Sequence, residues 1–391
     1  MKRKSVTLAA MAAAIVISVP SFAAPTAGAD INQLSSQVSS ALNLPKLQEL
    51  PQVEQPANVQ EKTGYLTSTD GKGTQVFWRS QQIPNARGTV VLVHGALEHS
   101  GRYDDVANQL LQGGYNVYRM DHRGHGKTAE ANPGTQGDID DFHYLVDDIN
   151  SVVQQAKAEN PELKTFMMGH SLGAIASQFY GIKYPGQVDG FITNAGGVPF
   201  NKSGINDAAD IITPRDITDA QRKYLPSLME FLPLAQMTTF NEKLSGLLFP
   251  NNKELRLPSP SITNKLQIPI PNLEFAGQVL MGGFMSNPAV IRSMYNDPLV
   301  SKQMSVGLAM QLTLGTIYSA INADLFTAPT LIYHGANDGL NPPFQSQNWY
   351  NSIASQDKEI IFWKGQFHEV FKEPAKSEAV ERAIEWMDAR I

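Results

Sequence analysis

The sequence predicts an α/β fold in which a mostly parallel β-sheet carries helices on both faces. Apolar runs typical of strands buried on both faces alternate with amphipathic helical segments from residue 63 onwards. This alternation stops near residue 196 and returns near residue 328, which indicates an insertion. In the stretch Thr165–Ser177, an apolar run reaches Gly-His-Ser-Leu-Gly and continues as a helix. A strand, a sharp turn and a helix in this order hold a serine hydroxyl clear of the sheet edge.

The predicted elements follow in chain order, each bounded by turn residues such as Gly, Pro, Asn or Asp. Before the insertion they are an edge strand over Thr74–Arg79, a strand over Val90–Val93, a helix over Tyr103–Leu111, a strand over Tyr115–Met120, a helix capped by Asp138 or Asp140, the strand and helix around Ser171, and a strand over Gly190–Ala195. After it they are strands over Ala328–His334 and Glu359–Trp363 and a closing helix over Ser377–Ile391.

Composition excludes several classes of protein. At 391 residues the chain can form one large domain or two smaller ones. Its net charge of -6, with no basic face to neutralise phosphates, argues against a nucleic-acid partner. The absence of cysteine excludes disulfides, cysteine nucleophiles and thiolate metal sites.

The N-terminus has the three parts of a secretory signal peptide. A basic stretch at residues 2–4 precedes an apolar run from Val6 to Val19, and Pro-Ser-Phe-Ala-Ala follows at positions 20–24 with small residues at the cleavage site. We therefore predict a signal peptide over residues 1–23, cleaved after Ala23, and a periplasmic or secreted protein. The apolar run is short for a membrane span, although an uncleaved anchor stays an alternative.

The remaining chain divides into a linker, a core and a cap. Residues 24–61 are rich in Pro, Gln and Ser and are predicted to be a linker. Residues 62–196 and 326–391 carry the strand and helix alternation of the core, and residues 197–325 form a cap inserted over the strand ends. The apolar segments of the cap indicate internal packing; the alternative is a patch that contacts a membrane surface transiently. We expect a monomer.

Three side chains are candidates for nucleophilic catalysis. A serine hydroxyl needs a neighbouring base, and the base needs a carboxylate that orients it. Ser171 is the candidate nucleophile, and only His334 and His368 follow it in the sequence. His334 lies inside a strand end and is interpreted as structural, whereas His368 lies on a loop after the last strand and is the candidate base. Asp338 follows a strand and is the candidate acid; the alternative is that it only caps a turn.

Backbone amides are the candidate oxyanion donors. The residue after the nucleophile, Leu172, presents an amide at the start of a helix. The second amide is expected from the loop after the strand Val90–Val93, where we select Ala96. Asp121 also ends a strand but precedes the serine, so it is interpreted as shaping the loop after it.

Five segments together resemble the monoacylglycerol lipase and lysophospholipase group of α/β-hydrolases. They are the segments His94–Tyr103, Asp121–Gly126 and Gly169–Gly173, followed by the segments around Asp338 and His368. The resemblance extends over most of residues 62–391 and implies the α/β-hydrolase fold. The chain departs from the group in its secretory leader and its long, proline-rich cap, and it has Leu97 where the group often has Gly.

The resemblance implies a serine ester hydrolase that cleaves monoacylglycerols or lysophospholipids through an acyl-enzyme, without a metal or cofactor. It also implies that Glu98 and Arg102 lie near the polar head of the substrate; the alternative is that these charges brace a loop. Three further functions stay open: a short-chain carboxylesterase, an amidase of the serine aminopeptidase type, and a catalytically silent binding module.

Overall fold

A computed structural model describes residues 52–201, 210–212, 256, 258–260, 262–270, 285 and 287–391. The predicted signal peptide, most of the predicted linker and much of the predicted cap lie outside these residues. Within the described part of the chain, no helix is both long enough and apolar enough to cross a bilayer.

The described residues form one large sheet and one small sheet. The strands of the large sheet are β1 (Gln60–Thr67), β2 (Gln75–Gln82), β3 (Gly88–Val93), β4 (Tyr115–Met120), β5 (Lys164–His170), β6 (Gly190–Asn194), β7 (Asp210–Ile212), β10 (Thr330–Gly335) and β11 (Lys358–Trp363). The small antiparallel sheet pairs β8 (Gln267–Pro269) with β9 (Gln303–Ser305).

The large sheet is mostly parallel, as predicted. In the described residues its order is β1-β2-β4-β3-β5-β6-β10-β11-β7. Only the pairs β1–β2 and β2–β4 are antiparallel. The prediction that Thr74–Arg79 forms an edge strand is wrong, because β1 covers that side of β2. The sequence hides β1 because most of its side chains are polar and exposed, so it has no apolar run.

Eight α-helices are found among the described residues. They are α1 (Asp104–Gln112), α2 (Gly126–Ala131), α3 (Phe142–Glu159), α4 (Leu172–Lys183), α5 (Pro288–Asn296), α6 (Val306–Ile321), α7 (Phe344–Ser352) and α8 (Lys376–Asp388).

The N-cap of helix α3 lies one residue after Asp140, the later of the two predicted caps. Asp141 is the N-cap, and its carboxylate accepts a hydrogen bond from the His143 amide at 2.9 Å. Asp138 accepts instead from the Ser305 hydroxyl, and Asp140 pairs with Arg123 at 2.7 Å. The assignment of the cap to Asp138 or Asp140 is therefore wrong, because tertiary partners use both carboxylates.

Both faces of the large sheet are covered by buried side chains. Successive residues of a strand point to opposite faces. Val91 and Met167 accordingly pack with the helices α3, α4 and α6, whereas Phe166 and Met168 pack with α1 and α8. Because both faces are covered, the strand ends are the part of the sheet left for a site.

Removing a core side chain from α3 tests this packing. Leu145 is fully buried, so Leu145→Ala is expected to lower the free energy of unfolding by about 2–5 kcal/mol. Gln154 lies on the exposed side of the same helix, and Gln154→Ala is expected to change it by less than about 0.5 kcal/mol. Urea unfolding followed by circular dichroism measures both; equal losses would contradict the assigned faces.

Candidate active site

Ser171 lies in the sharp turn between β5 and α4. Its backbone has φ +53° and ψ −118°, a conformation that L-residues rarely adopt. The flanking glycines are required by close packing. A Cβ on Gly169 would lie 2.4 Å from the carbonyl oxygen of Gly173, and one on Gly173 would lie 2.2 Å from that of Val93.

The structure brings Ser171, His368 and Asp338 together at the carboxyl edge of the sheet. The Ser171 hydroxyl lies 2.9 Å from Nε2 of His368, and Nδ1 of the same ring lies 2.7 Å from Oδ2 of Asp338. Asp338 follows β10 and His368 follows β11, so two neighbouring strands present the two side chains to the turn after β5. These contacts form one continuous hydrogen-bonded chain from carboxylate to hydroxyl.

The electrostatics of this chain favour a basic imidazole. Burial opposes the charge on Asp338, but the His368 ring and further hydrogen bonds hold the pKa of this carboxyl well below its ordinary value. The amides of Leu340 and Asn341 donate to its Oδ1 at 2.8 and 2.9 Å. Burial lowers the pKa of His368, and the Asp338 charge outweighs this and raises it overall.

His334 contacts the candidate acid. Its Nε2 donates to Oδ2 of Asp338 at 3.0 Å, and its Nδ1 lies 2.7 Å from the hydroxyl of Ser346. The structure therefore places His334 in a supporting position, where it orients the carboxylate, and separates it from the serine. No spacing rule predicts this contact, because His334 lies at the end of a strand and Asp338 in the turn that follows it.

The two candidate oxyanion donors border the serine. Leu172 is the first residue of α4, where a helical amide has no partner within the helix. Ala96 follows Gly95, and a Cβ on Gly95 would lie 3.3 Å from that of Ser171. Within the described part of the chain, neither the Ala96 nor the Leu172 amide donates a hydrogen bond. Both amides are thus available to an oxygen beside Ser171.

Leu97 has a left-handed backbone with φ +65°. This explains why a glycine suits the position, since glycine adopts positive φ without a steric penalty. The Leu97 carbonyl accepts a hydrogen bond from the Ser301 amide at 2.8 Å, which joins this loop to the segment after α5.

Glu98 is buried, the Arg102 side chain is 8% exposed, and the two form an ion pair with each other. Oε1 of Glu98 also accepts from the Gly95 amide and from the Tyr103 hydroxyl, both at 2.6 Å. Arg102 lies 3.5 Å from Glu369 as well. These are the contacts of charges that brace a loop, and the role of Glu98 and Arg102 near a substrate head group stays a prediction.

Glu98, His170 and Glu369 are the described residues close enough to share a metal ion, with ligand atoms within 4.8 Å of one another. Arg102 already contacts both carboxylates and supplies positive charge between them. The two carboxylates therefore already have the guanidinium of Arg102 as their positive partner, in the place where a metal ion such as zinc would lie.

Sequence reasoning did not identify His170 and Asn194 as site residues. The Asn194 side-chain amide donates to Nδ1 of His170 at 2.7 Å and to the carbonyl oxygen of His368 at 3.0 Å. The His170 ring packs edge-on against the His368 ring, with centroids 4.9 Å apart. Burial and the neighbouring His368 lower the pKa of His170 to about 3, so His170 is neutral. In the sequence, Asn194 is marked as a possible site residue by one feature, its position at the end of the strand next to β5.

Comparison with known proteins identifies the family. The family model described as "Serine aminopeptidase, S33" matches residues 84–375, well over half of the chain. The chain belongs to this family of α/β-hydrolases. The match includes all the site residues described above, from Ala96 to His368.

Relatives and solved structures agree with this assignment. The chain is 28% identical over 307 residues to a monoacylglycerol lipase of Mycolicibacterium smegmatis, covering 78% of this chain and 89% of the relative. It is 25% identical over 305 residues to a phospholipase of Bacillus subtilis, covering 77% and 95%. Its fold is similar to that of the monoacylglycerol lipase of Paleococcus ferrophilus, with a TM-score of 0.56, 23% identity, and coverage of 81% and 99%.

The pKa of His368 predicts a pH dependence. The base must be neutral, so the rate at which a fluorophosphonate labels the protein should fall with decreasing pH at a midpoint above 6.5, the ordinary histidine value. Asp338→Asn removes the charge that raises this pKa. We expect the midpoint to move to lower pH and the plateau rate to fall about 10⁴-fold.

Asp357→Asn is the control, because Asp357 pairs with Arg390 at the protein surface. Its rate and midpoint should match those of the unsubstituted protein. An unchanged plateau rate in Asp338→Asn would show that this carboxylate does not orient the base.

Proposed function

We propose that the protein is a serine ester hydrolase that cleaves single-chain lipid esters, either monoacylglycerols or lysophospholipids. The observation that carries the proposal is the hydrogen-bonded chain from Asp338 through His368 to Ser171, beside two amides without partners. A protein that only binds a ligand has no need of this series of hydrogen bonds. The names of the relatives, a monoacylglycerol lipase and a phospholipase, support the lipid class of substrate.

In the proposed mechanism, Ser171 Oγ bonds to the ester carbonyl carbon while its proton passes to Nε2 of His368. The carbonyl oxygen becomes an oxyanion that accepts hydrogen bonds from the amides of Ala96 and Leu172. The carbon–oxygen bond to the alcohol then breaks, and His368 protonates the leaving alcohol. Water gives a proton to His368 as its oxygen bonds to the acyl carbon; the bond from that carbon to Ser171 Oγ then breaks, His368 returns the proton to Oγ, and the fatty acid is released.

A small, mostly apolar recess lies beside the candidate oxyanion loop, but its volume of about 30 Å³ holds no more than one water-sized group. Leu97 borders this recess together with Ile270, Met294 and Val300. Val300 and Met294 are buried, and they belong to the small apolar cluster of the cap. Tyr295, Ser301 and Lys302 complete the lining, so this recess does not discriminate between an acyl chain and a peptide, and the lipid class of substrate rests on the names of the relatives.

Amide cleavage is the second candidate, because the matching family model is described as a serine aminopeptidase. A parallel assay on monoacylglycerols, lysophospholipids, p-nitrophenyl esters and aminoacyl anilides separates the two functions. Turnover of anilides alone would reject the ester hydrolase in favour of an amidase.

Ser171→Ala tests the nucleophile. It should abolish ester hydrolysis and fluorophosphonate labelling, because it removes the hydroxyl that contacts Nε2 of His368. Ser151→Ala is the control, since the Ser151 hydroxyl donates to the Asp147 carbonyl within α3. Hydrolysis that persists in folded Ser171→Ala would refute the proposal.

We also propose that the protein is exported, on the strength of the basic and apolar stretches in residues 1–23. N-terminal sequencing of protein expressed from the full chain is expected to begin at Ala24. A mature protein that begins at Met1 and stays in the cytoplasmic fraction would contradict export.

A further inference from the structure

Two loops carry the groups that must act together in the proposed mechanism. We define the oxyanion loop as residues 94–99, which include Ala96, and the histidine loop as residues 364–369, which include His368. They follow β3 and β11, which are not neighbours in the sheet. Three strands lie between them, so a direct contact between the two loops would fix their separation more tightly than strand pairing alone.

We infer that Arg102 is a positioning residue that fixes the oxyanion loop relative to the histidine loop, through Glu98 on one side and Glu369 on the other. The inference rests on the proposed function, because it concerns the geometry of the same reaction. Arg102 would act through the two carboxylates and would not touch the substrate.

The first half of the bridge is the carboxylate of Glu98. Its Oε1 accepts from the Gly95 amide at 2.6 Å, one residue before Ala96, and its Oε2 pairs with NH1 of Arg102. Glu98 is 2% exposed, so water does not compete for these bonds. A shift of the Glu98 side chain would therefore move the backbone of the oxyanion loop.

The second half is the carboxylate of Glu369, which directly follows His368. Its Oε2 lies 3.5 Å from NH2 of Arg102. Lys372, in the turn that follows, donates from its ammonium group to the carbonyl oxygen of Arg102. The side chain and the backbone of Arg102 are thus both tied to the segment that begins at the candidate base.

The chemistry of the bridge requires a guanidinium. Burial opposes the charge on Arg102, but Glu369 and Glu98 outweigh it and raise its pKa. Burial opposes the charge on Glu98 as well, and Arg102 lowers the pKa of this carboxyl, whereas burial raises the pKa of Glu369. The two terminal nitrogens of one planar group reach the two carboxylates at once, which a single ammonium on a flexible chain does not reproduce.

The consequence for catalysis is a change in turnover with little change in substrate binding. The Ala96 amide must meet the oxyanion while His368 holds the proton of Ser171, and this alignment matters most in the transition state. An error of about 1 Å in such an arrangement lowers the rate by about 10²-fold.

Two variants test the bridge. Arg102→Lys keeps the positive charge but removes the planar guanidinium with its two terminal nitrogens. Glu369→Gln keeps the shape of the side chain and removes one negative charge. We expect both to lower kcat for p-nitrophenyl esters and the rate constant of fluorophosphonate labelling by about 10- to 100-fold, with KM changed by less than about threefold. Rates are expressed per labelled active site, so that unfolded protein does not count.

Asp148→Asn is the matched control. Asp148 is 1% exposed and pairs with the buried Arg123 at 2.9 Å, so this variant also breaks a buried arginine ion pair. It should lose stability while keeping the kcat and the labelling rate of the unsubstituted protein. Loss of kcat of the same size in all three variants would overturn the inference in favour of general destabilisation.

A double variant gives the decisive result. If Arg102 and Glu369 act as one unit, Arg102→Lys with Glu369→Gln should lower kcat little more than Arg102→Lys alone. Additive losses, or unsubstituted rates in both single variants, would overturn the inference. Labelling of the unsubstituted protein at Ser171 keeps the two tests apart: absence of labelling rejects the proposed function, whereas normal labelling with unchanged variants rejects only the bridge.

Discussion

The contact between the first turn of α4 and the end of β3 is the constraint on which the site depends. A side chain on Gly173 would overlap the Val93 carbonyl, so the helix lies against the strand with no room to spare. This contact fixes the Leu172 amide relative to the loop that carries Ala96. It also keeps Ser171 in its left-handed conformation, with the hydroxyl directed to the edge where β10 and β11 end.

Buried charge is the second feature of that edge. Asp338 and Glu98 are both buried, and each carboxylate accepts backbone amides in addition to a histidine or an arginine. A buried charge is tolerated only when its hydrogen bonds are satisfied in this way. The donors and acceptors of the site are therefore held in place before a substrate arrives, and this arrangement reduces the reorganisation that the reaction needs.

The sequence was sufficient to predict the parallel sheet and which three side chains meet at its edge. Both depend on local patterns, namely apolar runs, turn residues and chain order, that each segment carries by itself. The strand β1 was missed because an exposed, polar strand has no such pattern. The contacts of Asn194 with His170 and of Arg102 with Glu369 were missed because they join residues distant in the sequence, and no spacing rule relates them.

The order of strands in the sheet has a consequence for biosynthesis. The ribosome completes β3, β4 and β5 and the serine turn well before it adds β10 and β11, which bring the acid and the base. The nucleophile of a nascent chain therefore lacks its proton acceptor, His368, until β10 pairs with β6 and β11 pairs with β10. The short strand β7 likewise cannot pair until β11 is synthesised, since its only partner in the described sheet is β11. Maturation of the site is thus tied to completion of translation.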